Sequence, residues 1–228
     1  MTFSREDAGV NMMRKLRKYL LLPLLLLLPV AAPAGSSGQL IDDFENGLRP
    51  RWKEKSFEGH TDYRVVEDDG GHCLQARSEG AASGLVFEKE YDLSEFPILG
   101  WRWRIDHTIT GGDETKKSGD DYAARVYVVF PHWFFPKTKT INYIWANKLP
   151  KGKAVPNPFT GNAIMVAVES GGGNAGQWRS VRRNVYRDYR RLFGGEPPEV
   201  GAIAIMTDTD NTGESAVACY DDIRIEKE

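Results

Sequence analysis

Ile98-Leu99-Gly100-Trp101-Arg102-Trp103-Arg104-Ile105-Asp106 is the stretch that decides the fold. In an extended chain, Leu99, Trp101, Trp103 and Ile105 fall on one side and Gly100, Arg102, Arg104 and Asp106 on the other. A strand with one bulky apolar face and one charged face belongs to an antiparallel sheet that covers a core on one side and meets water on the other. Shorter segments on both sides repeat the pattern between turn residues: Leu40–Phe44, Tyr63–Glu67, His72–Arg77, Leu85–Glu90, Tyr122–Phe130, Thr140–Trp145, Ala163–Glu169, Val200–Met206 and Ala216–Ile225. This many short strands predict an all-β, jelly-roll-like β-sandwich.

One segment departs from the two-residue period. Val181, Val185, Tyr189 and Leu192 recur at helical spacing, Ser180 offers an N-cap and Gly194-Gly195 a stop, which predicts one short amphipathic surface helix over 181–193. Its polar side carries Arg182, Arg183, Arg187, Arg190 and Arg191, a face suited to docking an anionic surface or a protein partner, or simply solvated.

The N-terminus reads as a leader. Arg14, Lys15, Arg17 and Lys18 precede a leucine-rich run from Tyr19 to Val30, and Ala32-Pro33-Ala34 closes it with small residues. That is a secretory signal peptide, with Met1, Met12 or Met13 as the start. The expected organisation is signal peptide 1–34, a short flexible lead-in 35–39 and a single domain 40–228, in the periplasm or secreted after cleavage near Ala34. The apolar run is shorter than the ~20 residues that span a bilayer, and no other run approaches that length, so no transmembrane anchor is expected after cleavage.

The chain carries 30 Lys and Arg against 32 Asp and Glu. Loss of a basic leader makes the remainder more acidic, which argues against a nucleic-acid partner. Two cysteines remain, Cys73 and Cys219. Parity sets Cys73 opposite Leu74 and Ala76, and sets Cys219 on the core face with Val217, Ile223 and Ile225. The expectation is two unreactive packing thiols rather than a disulfide.

Parity also proposes a ligand face. Arg102 and Arg104 share the wet side of one strand, Arg125 and Tyr127 one side of the next, and Asn142 and Glu169 the matching side of two more. If those strands neighbour one another, Arg102, Arg104, Arg125, Tyr127, Asn142 and Glu169 line one face, with Ala163 and Ala167 leaving room. Arginine forks fit carboxylate, sulfate or phosphate. The equally simple alternative is a salt-bridged outer face. For catalysis, Glu169 with Asp120 or Asp121 forms a candidate carboxylate pair for glycoside hydrolysis. No histidine pair has metal-ligand spacing and no G-x-S-x-G elbow occurs. Trp133, Phe134, Phe135, Trp145 and Trp178 offer rings for sugar stacking or for packing.

Asp208-x-Asp210-x-Thr212-Gly213 has the opening rhythm of a calcium loop, but Cys219 stands where the closing Glu belongs, so an Asx-rich turn is the competing reading. Trp101-Arg102-Trp103, the stretch from Gly119 to Tyr127, Asn142-Tyr143-Ile144-Trp145 and the stretch from Met206 to Glu214 resemble an exported bacterial family, domain of unknown function 3047, which brings no established activity. The two ends, Ile41 to Gly47 and Tyr220 to Ile223, resemble galactose-binding-like jelly-roll carbohydrate-binding modules. That resemblance implies adjacent first and last strands and a structural calcium held by Asp43 or Glu45 with Asp222. The functional expectation is an exported, non-catalytic protein that recognises a glycan, with an anionic saccharide favoured. The alternatives are an enzyme acting on envelope polysaccharide and an envelope assembly protein that docks a partner through its basic helix.

Overall fold

The computed structural model describes residues 38–68 and 70–228. The leader 1–34 and the first part of the lead-in lie outside these residues. The lead-in is shorter than expected, because Gly38 already pairs with Glu226.

Among these residues, thirteen strands and one α-helix follow in order: β1 Gly38–Asp42, β2 Trp52–Glu58, β3 Asp62–Asp68, β4 Gly71–Glu79, β5 Ala82–Tyr91, β6 Ile98–Ile105, β7 Tyr122–Phe130, β8 Lys139–Ala146, β9 Ala154–Asn157, β10 Thr160–Ser170, β11 Arg179–Asn184, α1 Val185–Phe193, β12 Val200–Asp208 and β13 Ser215–Glu226. They form two sheets. The six-stranded sheet runs β11-β6-β13-β4-β3, with β1 added to the C-terminal half of β13. The seven-stranded sheet runs β2-β5-β12-β7-β8-β10-β9. Every pairing is antiparallel except β8 with β10. The chain is a jelly-roll-like β-sandwich, and its first and last strands lie side by side.

The core is where the apolar faces of the sheets meet. Trp101 and Trp103 of β6 reach across to Tyr143 and Trp145 of β8, at ring-centroid separations of 5.4 and 5.9 Å. All four are buried. Such aromatic pairs add about 0.5–1.5 kcal/mol each to the stabilisation from burial alone. The alternation that singled out Ile98–Asp106 is thus the alternation between this core and the outer surface.

The helix is shorter than its periodicity predicts. Residues 179–184 form β11, an edge strand paired with β6 from Arg179↔Trp103 to Asn184↔Ile98. Val181 packs against the core from this strand, so its apolar spacing to Val185 reflects two elements rather than one. The cap is Asn184, whose side chain accepts from Arg187 N at 2.8 Å, and not Ser180. The basic face is also accounted for. Arg182 pairs with Glu226, Arg183 and Arg191 with Asp188, Arg187 with Glu228 and Arg190 with Glu196. On the helix, Arg187, Arg190 and Arg191 stay about half-exposed or more within these pairs.

Two bulges move side chains off their sequence parity. In β13 the register shifts between Asp221 and Arg224, where Asp222 has φ of +53°. Ala216, Ala218 and Tyr220 face the core before it, and Ile223 and Ile225 after it. Cys219 consequently lies on the outer face and not, as parity counted back from Ile223 suggested, in the core. There it meets Cys73, with the two thiols in hydrogen-bonding reach and both buried, and both are free. The second bulge, between Ala167 and Glu169 of β10, turns Glu169 away from its predicted neighbours.

Candidate functional site

The expected six-residue face divides between the two sides of the sandwich. Arg102 and Arg104 belong to β6, in the six-stranded sheet, and Arg125, Tyr127 and Asn142 to β7 and β8, in the seven-stranded sheet. Each sheet has its own outer face, and side-chain parity does not say which sheet a strand joins. On the six-stranded side the arginines are compensated. Arg104 pairs with Asp68 at 3.1 Å, and Arg102 lies 3.6 and 3.5 Å from Asp221 and Asp222. Both guanidinium groups stack over Trp178, whose Nε1 donates to Asp68 at 2.8 Å. This is the salt-bridged outer face.

Glu169 is held elsewhere, by Lys151 at 2.6 Å, Asn174 at 3.2 Å and Arg179 at 3.5 Å. Ala167 lies under a small apolar cluster with Met165, Ile144 and Leu149.

Arg125, Tyr127 and Asn142 do converge. Cross-strand register sets Tyr127 opposite Asn142 and Ala204. The small residues Ala82 and Ala163 and the unbranched Met206 leave a depression, and the outer face opens into a groove of about 420 Å³. Thr140, Asn142, Tyr127 and Met206 line it, together with Asp120, Asp208, Asp210 and Asn157. Two phenylalanines line it as well, Phe57 of β2 and Phe159 of the β9–β10 turn, exposed by 63% and 57%. Sequence reasoning passed over both rings. The available signal was an isolated aromatic among charged or turn residues, in Lys55-Ser56-Phe57-Glu58 and in Pro158-Phe159-Thr160.

Within the groove Arg125 is a structural ion. Its Nε donates to Asp208 Oδ1 at 2.8 Å, its Nη2 donates to Asp208 Oδ2 and, at 3.3 Å, to the Asp120 carbonyl, and its Nη1 lies 3.9 Å from Asp120 Oδ2. The guanidinium lies between the Tyr122 and Tyr127 rings. Asp120 also accepts from Asn157 Nδ2 at 2.8 Å and from the Tyr122 hydroxyl at 3.1 Å. With Asp208 and Asp120 around it, Arg125 has no donor fork to offer an anionic ligand.

The expected calcium ligands each have nitrogen partners of their own. Glu45 accepts from the backbone and ring nitrogens of His72, at 2.9 and 2.8 Å. Asp43 accepts from Glu45 N, and Asp222 lies beside Arg102 and Arg224. Among the described residues Asp121, Asp208 and Asp210 gather, with one oxygen of each within 4.8 Å of the others. Such a trio could in principle hold a cation, and it contains the pair from the Asp208-x-Asp210 rhythm. Two of its members are already satisfied by N–H donors. Asp208 holds Arg125, and Asp121 accepts from the backbone of Asn211 at 3.2 Å and of Thr212 at 2.7 Å. A cation would have to displace these donors. Neither Asp121 nor Glu169, its partner in the expected glycosidase pair, lines the groove.

A model of the family described as "Protein of unknown function (DUF3047)" matches residues 50–224. No curated protein matches the chain. Among solved structures, one is a study of the promiscuous specificity of carbohydrate-binding modules from the β-sandwich superfamily: 9% identity, TM-score 0.45, covering 83% of this chain. This chain spans 62% of that structure's length. A family 30 carbohydrate-binding module of a cellulosomal cellulase of Clostridium thermocellum is 12% identical, with TM-score 0.47, over 78% of this chain and 92% of its own. A β-1,2-glucanase from Parabacteroides distasonis is 12% identical, with TM-score 0.46, over 84% of this chain and 25% of its own.

Proposed function

The chain belongs to the DUF3047 family, described as of unknown function, and from the geometry of its groove we propose that it is an exported, non-catalytic saccharide-binding protein. The observation that carries this is the groove on the seven-stranded sheet, where two exposed phenylalanines accompany a polar, partly unsatisfied wall. Sugar rings present apolar C–H faces and a rim of hydroxyls. Phe57 and Phe159 supply surfaces for the first, and Asn142, Asp210, Asp120 and Tyr127 supply hydrogen-bonding groups for the second. The anionic saccharide expected from three convergent arginines has lost its basis, because those arginines do not converge and Arg125 is neutralised.

Export rests on the leader, Arg14 to Ala34, which supports a periplasmic or secreted location. Glu169 is held by Lys151, Asn174 and Arg179 and does not line the groove, which supports binding over hydrolysis by a Glu169–Asp120 or Glu169–Asp121 pair. One observation favours a second, hydrolytic reading. Burial and the neighbouring Asp121 carboxylate push the pKa of Asp210 up, as suits a general acid, and Asp120 lines the same groove.

A glycan array probed with the purified protein tests the proposal. Bound glycans should lose affinity about tenfold or more in Asn142→Leu and Phe159→Ala, while release of reducing ends stays at background. A blank array, or binding unaffected by both substitutions, overturns it.

A further inference from the structure

We propose that the β7–β8 loop docks this protein on an anionic phospholipid bilayer. Trp133, Phe134 and Phe135 enter the headgroup layer, and Lys53, Lys55 and Lys137 face the lipid phosphates. The three aromatic side chains are consecutive and are exposed by 91%, 49% and 73%. Each is large enough that covering it is strongly favourable, so three left together in water mark a surface that something else covers. The loop holds them out in a fixed arrangement. Lys137 N donates to Phe134 O at 2.9 Å and Thr138 N to Phe135 O at 2.8 Å, closing a tight turn. His132 N donates to Thr138 Oγ1 at 3.2 Å, and Phe134 N donates to His132 Nδ1 at 2.9 Å. From β10, Asn162 Nδ2 donates to Pro136 O at 2.6 Å and pins the turn to the sheet. Little ordering of the loop is left to oppose binding.

Charge selects the occupant. Lys55 of β2 places its ammonium 5.7 Å from the centre of the Phe135 ring. Lys53 lies two residues earlier on the same side of that strand, and Lys137 belongs to the loop's own turn. None of the three has an ion-pair partner among the described residues. Glu54, the acid between the two β2 lysines, is taken by His60 at 2.9 Å. On the six-stranded face, by contrast, Arg102 and Arg104 are paired with acids. Aromatic rings beside unpaired lysines fit a membrane interface, with the rings at headgroup level and the ammonium groups on phosphate. A second copy seated on this patch would set lysines against lysines across a two-fold contact. A sugar chain needs rings in one plane, whereas Trp133 and Phe134 are tilted by 45° and His132 and Trp133 by 34°.

The test mixes the protein, purified as its host exports it, with vesicles of phosphatidylcholine alone or of phosphatidylcholine with phosphatidylglycerol. Brominated acyl chains quench tryptophan that reaches the lipid. Residues 1–34 contain no tryptophan, and Trp52, Trp101, Trp103 and Trp145 are buried, so quenching reports the loop. The mixed vesicles should bind about tenfold or more tightly than the neutral ones, and the difference should shrink as salt is raised. Trp133→Phe should keep binding to within about twofold and lose most of the quenching. Lys53→Gln, Lys55→Gln and Lys137→Gln together should weaken binding to the mixed vesicles about tenfold or more. All these positions are exposed, and unchanged melting curves check that the variants fold. No binding to the mixed vesicles, equal binding to both kinds, or quenching unchanged in Trp133→Phe overturns the proposal. Self-association that Trp133→Ala abolishes, without vesicle binding, gives the patch to a second copy and overturns it. A tenfold loss of glycan binding in Trp133→Ala, without vesicle binding, gives it to the saccharide and overturns it too.

Discussion

Arg125→Met should unfold the protein more readily without touching a ligand contact. The guanidinium is buried, and its chief partner, Asp208, has no exposed surface at all. Removing the arginine leaves Asp208 as an uncompensated buried carboxylate close to Asp121 and Asp210. Breaking a buried pair from one side costs about 3–5 kcal/mol. In a domain of this size that corresponds to a fall in melting temperature of about 6–20 °C. The reverse change, Asp208→Asn, should cost less, about 1–3 kcal/mol, because Asp120 stays within reach of the stranded guanidinium. Combining the two, as Arg125→Met with Asp208→Asn, should recover much of the loss, since neither charge is then left alone. Urea denaturation of the four proteins at neutral pH gives the cycle. The reasoning fails if Arg125→Met loses less than about 1 kcal/mol, or if the double variant is as unstable as the sum of the singles. Loss of saccharide binding in an Arg125→Met protein of unchanged stability would return Arg125 to the ligand.

Three further outcomes are expected. Burial, then the neighbouring Asp222 carboxylate, push Asp221 up to about 6; a folded-state pKa raised in this way means that ionisation costs stability above about pH 6 and nothing below about pH 4. Asp221→Asn should therefore gain about 1–2 kcal/mol at pH 7, discounted for the solvent that still reaches the group, and should melt with the parent protein at about pH 3. Cys73 and Cys219 are buried beside each other, so a thiol reagent should label neither in the folded, reduced protein and both after unfolding; rapid labelling of the native state would contradict the outer-face packing. Because Asp121 and Asp208 are satisfied by N–H donors, melting curves with chelator and with added calcium should coincide, and a shift of several degrees would show that the aspartate trio rearranges around an ion.

The parts of the fold that were legible in the sequence are those that cover the core. β6 and β7 announce themselves because alternate residues are buried against the opposite sheet. The strands that were not legible, β2, β9 and β11, all lie at sheet edges. Trp52-Lys53-Glu54-Lys55-Ser56-Phe57-Glu58 buries only Trp52, and β9 contains Pro156, a residue that edges tolerate and central strands do not. Their existence depends on ladder hydrogen bonds to a neighbour, which leave no apolar signature. The site was half legible for a different reason. Parity correctly grouped Arg125, Tyr127 and Asn142, whose strands are neighbours in register. It could not see that β6 joins the other sheet, nor that single-residue bulges at Asp222 and before Glu169 reverse the side on which later residues fall. Cys219 and Glu169 were misplaced by those bulges, not by a misjudged propensity.

The central claim is that ligand binds on the outer face of the seven-stranded sheet. The most direct measurement is a backbone-amide NMR footprint of the saccharide that binds best on the array. Shifts confined to Phe57, Tyr127, Asn142, Phe159 and Asp210 are the predicted result. Shifts centred instead on Arg102, Arg104 and Trp178 would place the ligand on the six-stranded sheet and contradict the account.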